Sequence, residues 1–427
     1  MNHSDEHAGR HFLGLALCCA LLQACGGGGD EGDGGGPGPG PTPPPPSGAT
    51  VWSQPPAPAA PPAAGSTATG VFRDANVQGV AYESGALSGV TGADGKFQYI
   101  AGQSVTFRVG GVTLGSFTGQ PFITPLHLPT STASSIVDQI ENRLRFLQML
   151  DLDGNPENGI EISESTRTRA ANWSAIDFTT AAGDLPAALA TVRADAASAD
   201  GGTHAIPTAA AASEHFVRAV RCTYSGLYRG TYSGSDTGVF AIVSYAGGRM
   251  RGMGYSTVDK EGFLLEKTND LTLSFTPDFQ AGTGSNGATF SGEYASPGVI
   301  LGNWANGSDT GTFLGARSGG SDAAIYRISG FQWPVGTALV MTFEINAANE
   351  VAGSIIDLDE ARDGVPIAMT GALAGTAFTA NSWAGQYAIT GTFNASAAPA
   401  SRMLTGTLRD NIKGRDVVLQ VPGCKLN

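Results

Sequence analysis

One short loop of this chain carries the residue types that bind a hard cation. Four oxygen-bearing side chains alternate directly after a predicted helix: Asp151, Asp153, Asn155 and Glu157. Carboxylate and amide oxygens at this spacing are the ligands that calcium takes from protein loops. The loop departs from an EF-hand, because Pro156 stands where that loop has its glycine. The alternative is that these residues are turn formers that end one element and lead into the next.

The histidines after the N-terminal segment do not indicate a metal site or a catalytic group. His127, His204 and His215 lie far apart in sequence, and none has a cysteine or carboxylate at metal-ligand spacing. A G-x-S-x-G motif, which would support a serine hydrolase, does not occur. We therefore predict structural or exposed histidines and a chain that is not an enzyme. A secreted hydrolase is the least favoured alternative.

A seven-residue motif occurs twice in the C-terminal half of the chain. Gly234–Phe240 reads GSDTGVF and Gly307–Phe313 reads GSDTGTF, so Asp236 and Asp309 occupy the same place in both copies. We interpret these aspartates as turn formers. The alternative is a repeated acidic binding loop.

Large aromatic residues accompany the two copies of this motif. The candidates are Trp304, Trp333, Trp383, Tyr228, Tyr232, Tyr294 and Tyr387. We predict that they fill a β-domain core. The alternative is that they line a face for a sugar or another ligand, since aromatic rings stack on flat apolar surfaces.

The N-terminal residues have the pattern of an exported protein. Phe12–Cys25 is an apolar run, shorter than the about 20 residues that span a bilayer, and small residues follow it. Its last four residues, LQAC, resemble the bacterial lipobox. The resemblance implies cleavage before Cys25, lipidation of this cysteine and, because Gly26 rather than Asp follows it, anchoring in the outer membrane. The alternative is an ordinary cleaved signal in which Cys25 is incidental.

The five cysteines then divide simply. Cys18 and Cys19 leave with the signal, and Cys25 takes the lipid if the lipobox resemblance holds. Cys222 and Cys424 remain, in an oxidising compartment. We predict that they form one disulfide, which ties the first strand of a C-terminal domain to its last.

Composition excludes one class of partner. The net charge is −13, and charged residues make up only 14% of the chain. Nucleic-acid binding depends on a basic surface, so we expect no nucleic acid among the partners. Contact with a membrane is expected through the N-terminal lipid, and the ligand or surface partner stays unidentified.

Changes in composition divide the chain into five segments. They are a lipoprotein signal peptide (1–24), the lipidated cysteine with a disordered Gly/Pro linker (25–66), a small β-sandwich (67–127), a helical connector (128–221) and a β-barrel domain or domains (222–427). The linker has too few large apolar side chains to form a core. The fold class is therefore mainly β.

The sandwich segment resembles a known module. Its motifs are V-x-G-x-x-Y from Val77, G-x-T-x-x-D-G-x-F-x-Y-x-x-G from Gly89 and V-x-F-x-V-G-G from Val105. They resemble the prealbumin-like sandwich of bacterial surface proteins, akin to carboxypeptidase-regulatory-like modules. Together with ITPL from Ile123 and the LDLDGNPENGI segment from Leu150, they are similar to a family of proteobacterial surface lipoproteins. The resemblance implies a spacer or binding role and says little about activity.

Helical and strand patterns follow. Apolar residues recur at helical spacing from Ile136 to Leu150, and further helices are predicted near Leu185–Ala196 and Thr208–Arg221. Short strands in residues 222–427 favour an up-and-down meander, as one or two disulfide-closed barrels or, alternatively, a two-sheet sandwich. We expect an outer-membrane-anchored lipoprotein with a non-catalytic binding, adhesion or envelope role. A lipocalin-like carrier is the main alternative.

Overall fold

A computed structural model describes residues 60–129, 136–267, 278–281, 288–321, 323–332, 338–358, 365–396 and 402–426, with the backbone alone for 278–281. The proposed signal peptide, Cys25 and most of the proposed linker lie outside the described residues, as does Trp333. The fold is mainly β, as the sequence predicts. Among the described helices, none is long and apolar enough to cross a membrane.

The N-terminal sandwich consists of two small sheets. One has the order β5-β1-β8 and the other β4-β3-β6-β7. Three rings form the centre of its core: Phe107 stacks on Phe72 at 4.5 Å between ring centroids and meets Phe97 edge-to-face at 5.1 Å. The strands are β1 (Thr67–Phe72), β2 (Val77–Gln78), β3 (Ala81–Ser84), β4 (Leu87–Val90), β5 (Lys96–Ile100), β6 (Ser104–Val109), β7 (Val112–Thr118) and β8 (Phe122–Ile123).

Helices join the sandwich to the rest of the molecule. After a 3₁₀ helix (Pro125–His127) come α1 (Ile136–Met149), α2 (Glu164–Ala170), α3 (Leu185–Ala188), α4 (Ala190–Asp200) and α5 (Ala209–Tyr224), with the short strand β9 (Ile160–Glu161) between α1 and α2. Phe146 and Leu147 of α1 pack into the sandwich core, whereas Ile140 and Leu144 pack with α5. Helix α1 is therefore shared between two cores.

Helix α5 extends beyond its predicted end. Thr208 caps it by accepting a hydrogen bond from Ala211 N at 3.1 Å. Its apolar face continues through Phe216 and Val220 to Tyr224, and all three pack into the next β-domain. The proposed domain boundary between residues 221 and 222 therefore falls inside a helix, because the buried face needs its last turn.

The first C-terminal β-domain is an eight-stranded antiparallel sheet with the order β13-β12-β11-β10-β17-β16-β15-β14. We call it the curled sheet. The ring centroid of Phe263 on edge strand β13 lies 6.1 Å from that of Phe290 on β15, near the opposite edge. The sheet therefore wraps around a shared core. Its strands are β10 (Gly226–Gly234), β11 (Gly238–Ser244), β12 (Met250–Ser256), β13 (Gly262–Lys267), β14 (Asp278–Ala281), β15 (Thr289–Ser296), β16 (Val299–Asn306) and β17 (Asp309–Arg317).

The second C-terminal β-domain is a closed barrel of eight strands. The last strand pairs with the first, placing Cys424 opposite Arg327. Large apolar side chains such as Phe343, Phe378 and Ile389 fill its interior and are fully buried. Its strands are β18 (Ala324–Gln332), β19 (Leu339–Asn346), β20 (Glu350–Asp357), β21 (Ile367–Ala374), β22 (Ala377–Ser382), β23 (Tyr387–Phe393), β24 (Arg402–Asp410) and β25 (Arg415–Lys425).

The predicted disulfide is present between Cys222 and Cys424, which are 202 residues apart in sequence. Its position corrects one expectation. Cys222 lies in the last turn of α5 and not on a first strand, while Cys424 lies on β25. The bond thus ties the helix that enters the curled sheet to the strand that closes the barrel.

Candidate functional site

The two copies of the GSDTG motif form neighbouring hairpins at one end of the curled sheet. Strands β10 and β17 are paired so that Gly234 lies opposite Gly311. Ser235 N donates a hydrogen bond to Thr310 O at 3.0 Å, and Thr310 N donates to Ser235 Oγ at 3.2 Å. The repeat therefore builds one continuous rim rather than two separate turns.

This rim surrounds a recess of about 60 Å³, which we call the mouth recess. Its floor is aromatic, and each floor side chain is at most 5% exposed: Tyr232, Phe263, Phe290 and Trp304. Its wall carries four carboxylates: Asp236, Asp259, Glu261 and Asp309. Lys260 lies between two of these in the turn after β12. The recess thus combines acidic groups with buried aromatic rings.

Asp236 is held firmly in the wall. Its Oδ2 accepts a hydrogen bond from the hydroxyl of Tyr232 at 2.9 Å, and its Oδ1 accepts from Ser256 Oγ at 2.9 Å and from Thr237 N at 2.6 Å. Ser256 Oγ in turn accepts from Asp259 N at 2.9 Å. These three donors fix the orientation of the Asp236 carboxylate.

The floor residues are fixed by their polar ends. Burial, together with the hydrogen bond and negative charge of Asp236, raises the pKa of Tyr232 well above its usual range, so this phenol stays protonated. Trp304 Nε1 donates to Ser233 O at 3.0 Å. A Cβ on Gly311 would lie 2.3 Å from that Nε1 and 1.9 Å from Ser233 O. Glycine is therefore required at this position of the repeat for the indole to lie against the strand.

This arrangement suits a cationic group. Ammonium and guanidinium groups are attracted both to aromatic faces and to carboxylates, and a wall with four acidic groups repels anions. The volume is well below the roughly 300 Å³ of the smallest drug-sized ligand sites. The mouth recess can accept the charged end of a ligand rather than a whole lipid.

The predicted aromatic residues have different locations. Tyr232 and Trp304 lie in the mouth recess. Tyr228 and Tyr294 are buried deeper in the curled sheet, and their rings meet at 5.6 Å. Trp383, in contrast, is fully exposed on the closed barrel.

Several residues of the mouth recess were missed from the sequence: Ser256, Asp259, Glu261, Phe263 and Phe290. The sequence did contain a signal for Ser256, Asp259 and Glu261, which lie at the turn after β12. Turns of an up-and-down meander alternate between the two ends of the sheet. The turn after β12 must therefore lie at the same end as the turn between β10 and β11.

Several side-chain oxygens of the Asp151 loop accept hydrogen bonds within the protein. Asp151 Oδ1 accepts a hydrogen bond from Glu161 N at 2.9 Å. Asp153 accepts from Asn155 N at 2.9 Å and from Asn158 Nδ2 at 2.8 Å. These contacts match the turn interpretation. Within the described ranges no group of three or more His, Cys, Asp or Glu side chains is arranged to hold a metal ion, and calcium at this loop stays a prediction.

The same loop joins separate parts of the molecule. Glu157 forms an ion pair with Arg218 of α5, and its carbonyl accepts a hydrogen bond from Lys425 Nζ of β25 at 2.6 Å. Burial, supported by the charge of Asp153, raises the pKa of Asp151 to about 6. The loop is thus a structural junction whose buried carboxyl group titrates in mildly acidic solution.

The three histidines lie at separate places and are each engaged. His127 caps the 3₁₀ helix by accepting from Thr124 N at 3.0 Å. His204 contacts Met149 O at 2.8 Å. His215 has acceptors at both ring nitrogens, Asp74 Oδ1 at 3.1 Å and Pro156 O at 3.0 Å. Its Nε2 therefore faces a carbonyl where a catalytic triad would need a nucleophile.

Comparisons with known proteins add little. No protein-family model matches the chain, and no curated protein is similar to it. Among solved structures, kievitone hydratase from Nectria haematococca shares 7% sequence identity, with 48% of this chain and 91% of that chain covered, at a TM-score of 0.18. Such a score is too low to support an argument about fold or function.

Proposed function

We propose that this chain is a non-catalytic binding protein of the cell envelope, anchored by a lipid on Cys25, that binds the cationic end group of its ligand in the mouth recess. The observation that carries the proposal is the pairing of the two GSDTG hairpins, which brings Asp236 and Asp309 to one aromatic-floored recess. A merely structural repeat would need the turns but not the rings beneath them.

The filling of both β-domains favours this proposal over a lipocalin-like carrier. A carrier needs an internal cavity for the body of its ligand. The interior of the closed barrel is occupied by buried aliphatic and aromatic side chains, and the curled sheet is filled by contacting rings such as those of Phe290 and Phe313 at 5.3 Å. A ligand is therefore received at the surface, by one charged group.

Calorimetric titration of the purified protein with tetramethylammonium, choline and propylammonium chlorides tests the ligand class. We expect weak, saturable binding of at least one of these cations. The double variant Asp236→Asn/Asp309→Asn should bind about tenfold more weakly, since it removes two charges beside the ligand. Asp177→Asn is the matched control, because Asp177 is an exposed carboxylate far along the chain from the recess.

Two outcomes would contradict the cation site. One is the absence of binding by all three cations at millimolar concentration. The other is equal affinity in the double variant and the control. Sodium chloride at matched ionic strength separates specific binding from general screening.

The anchor is tested separately by Cys25→Ser. The proposal expects the variant to leave the outer-membrane fraction and to lose palmitate labelling. A variant that still fractionates with the outer membrane and still incorporates palmitate would overturn the anchor without affecting the binding proposal.

A further inference from the structure

A second recess, of about 120 Å³, lies where the sandwich, helix α5, the curled sheet and the closed barrel meet. Its character is opposite to that of the mouth recess. Four cationic side chains line it: Arg73, Lys96, Arg317 and Arg327. They come from the end of β1, from β5, from the end of β17 and from β18. We call it the arginine recess.

Arg327 anchors the wall of this recess. It is 4% exposed, and its Nε and Nη2 donate to Glu344 Oε1 at 2.9 and 2.7 Å. Its Nη1 donates to Ser225 O at 3.1 Å. This guanidinium is neutralised by one carboxylate and fixed by the backbone at the end of α5.

Arg73 and Arg317 are less completely satisfied. Arg73 Nη1 donates to Asn76 Oδ1 at 2.8 Å, and Arg317 Nη1 donates to Thr223 O at 2.8 Å. Both of these acceptors are uncharged. The Nε atoms of both arginines are enclosed by protein, and within the described part of the chain neither has a hydrogen-bond partner. Buried donors without acceptors are costly and are rare in native proteins.

Like charges also face one another across the recess. Burial, followed by the charges of Arg327 and Arg317, lowers the pKa of Arg73 to about 10. Burial and the charge of Arg317 lower that of Arg327 to about 10 as well, although Glu344 opposes this. Asp94, whose carboxylate lines the recess, is paired with Lys96 at 2.9 Å. The recess therefore keeps an excess of positive charge.

We propose that the arginine recess binds an oxyanion, a phosphate, sulfate or carboxylate group, between the guanidinium groups of Arg73, Arg317 and Arg327. Guanidinium groups match such anions by geometry as well as by charge. A bound oxyanion would supply acceptors for the two enclosed Nε atoms and reduce the repulsion among the arginines. Because the lining comes from all the folded units, the anion would also hold these units together. This site is independent of the mouth recess.

Binding can be measured on the full chain by calorimetry and by thermal unfolding with sodium phosphate, sulfate and acetate, each against chloride at equal ionic strength. We expect saturable binding of at least one anion and a higher melting temperature in its presence. Preference for phosphate and sulfate would identify a tetrahedral group, and preference for acetate would identify a carboxylate. Arg73→Gln should weaken binding by about tenfold or more, the loss of one charged hydrogen-bonding group.

Arg169→Gln is the matched control, since Arg169 is a half-exposed arginine in a surface ion pair with Asp195. If Arg73→Gln does not fold, Lys96→Gln removes another positive charge from the same recess. Lys96 is more exposed, so its replacement puts folding less at risk. In ¹⁵N spectra of the unmodified chain, the Nε–H signals of Arg73 and Arg317 should shift with the anion that binds. Saturable binding to none of the three anions, or an equal affinity in Arg73→Gln and the control, would overturn the proposal.

Discussion

The curled sheet and the closed barrel have the same number of strands and the same meander connection, and in both the first strand pairs with the last, yet their cores differ. The barrel closes through the pairing of β18 with β25, and aliphatic side chains together with rings such as those of Phe343 and Phe378 fill its interior. Among the described residues of the curled sheet, no pairing joins β13 to β14, and its core holds large rings such as Trp304 and Tyr294. Closure removes exposed strand edges, whereas the aromatic core of the curled sheet lies beneath a recess at one end of that sheet.

Helix α5 explains part of this difference. Phe216, Val220 and Tyr224 enter the core of the curled sheet, so this sheet is completed by a helix at one place and left accessible at the mouth recess. The closed barrel has a core that its own strands fill. Under the proposed function, the curled sheet is the part of the molecule that receives the ligand.

The largest expected effect concerns the two interiors. Phe343→Ala in the closed barrel should cost about 3–5 kcal/mol of unfolding free energy, because Phe343 is fully buried and meets Phe378 edge-to-face at 5.7 Å. Phe263→Ala, on an edge strand of the curled sheet, should cost roughly half as much, since an open edge can relax. Urea unfolding of both variants measures this. Equal costs would mean that the open edge gives no freedom to adjust.

The disulfide is the covalent link between the two regions. Replacing Cys222 and Cys424 by alanine should lower stability by roughly 2–4 kcal/mol, because a long loop is no longer closed in the unfolded chain. Hydrogen exchange should then show strands β12 and β19 opening at different free energies, which the bond otherwise couples. If both strands still exchange together, the interface formed by residues such as Val239 and Val340 couples the regions on its own.

Gly311→Ala should distort the mouth recess. The new methyl group would press on Ser233 O and the Trp304 indole, so we expect a cost of about 1–3 kcal/mol from overpacking and a loss of cation binding. The neighbouring exposed residue offers a control, and Thr312→Ala should change neither property. Retained binding in Gly311→Ala would show that the indole position is not required.

The smallest expected effect is a pH dependence at the junction around Asp151. Burial alone would lower the pKa of His215, but the hydrogen bond and charge of Asp74, with further help from Glu157, raise it. Asp151 has its pKa raised to about 6 by burial. Both groups bind protons more readily in the folded state, so their contributions to stability fall as pH rises.

For Asp151, the loss of stability occurs as the pH rises from its unfolded pKa of about 4 to its folded pKa of about 6. For His215 it begins near its unfolded pKa of about 6.5 and is complete above its raised folded pKa. Asp151→Asn should remove the loss of stability that Asp151 causes. This loss is a change in unfolding free energy on the order of 1 kcal/mol across that pH range. Melting temperatures of both proteins from pH 4 to 8 measure it, and parallel curves would contradict the assignment.

Local patterns predicted much of this fold. Helical periodicity predicted α1, and a helix was also predicted near the position of α5. Cysteine counting predicted the bond between Cys222 and Cys424. The repeat also placed Asp236 and Asp309 in equivalent turns, and these turns prove to be neighbours.

The sequence predicted less about how the units meet. Whether the meander forms one barrel or two depends on which strands pair at the ends, and no local pattern specifies this. The arginine recess joins residues as distant as Arg73 and Arg327, whose proximity results from the packing of whole units. The position of Cys222 was misjudged for a similar reason, since the apolar face of α5 continues past the proposed boundary.

The most direct test of the central claim is the signal of the Trp304 indole N–H in ¹⁵N spectra during titration with tetramethylammonium chloride. This group donates to Ser233 O at the edge of the mouth recess, whereas the Trp383 indole is exposed on the other β-domain and serves as an internal control. We predict a saturable shift of the Trp304 signal that is lost in Asp236→Asn/Asp309→Asn, with no shift of Trp383. An unchanged Trp304 signal, or the same shift in the double variant, would contradict the account.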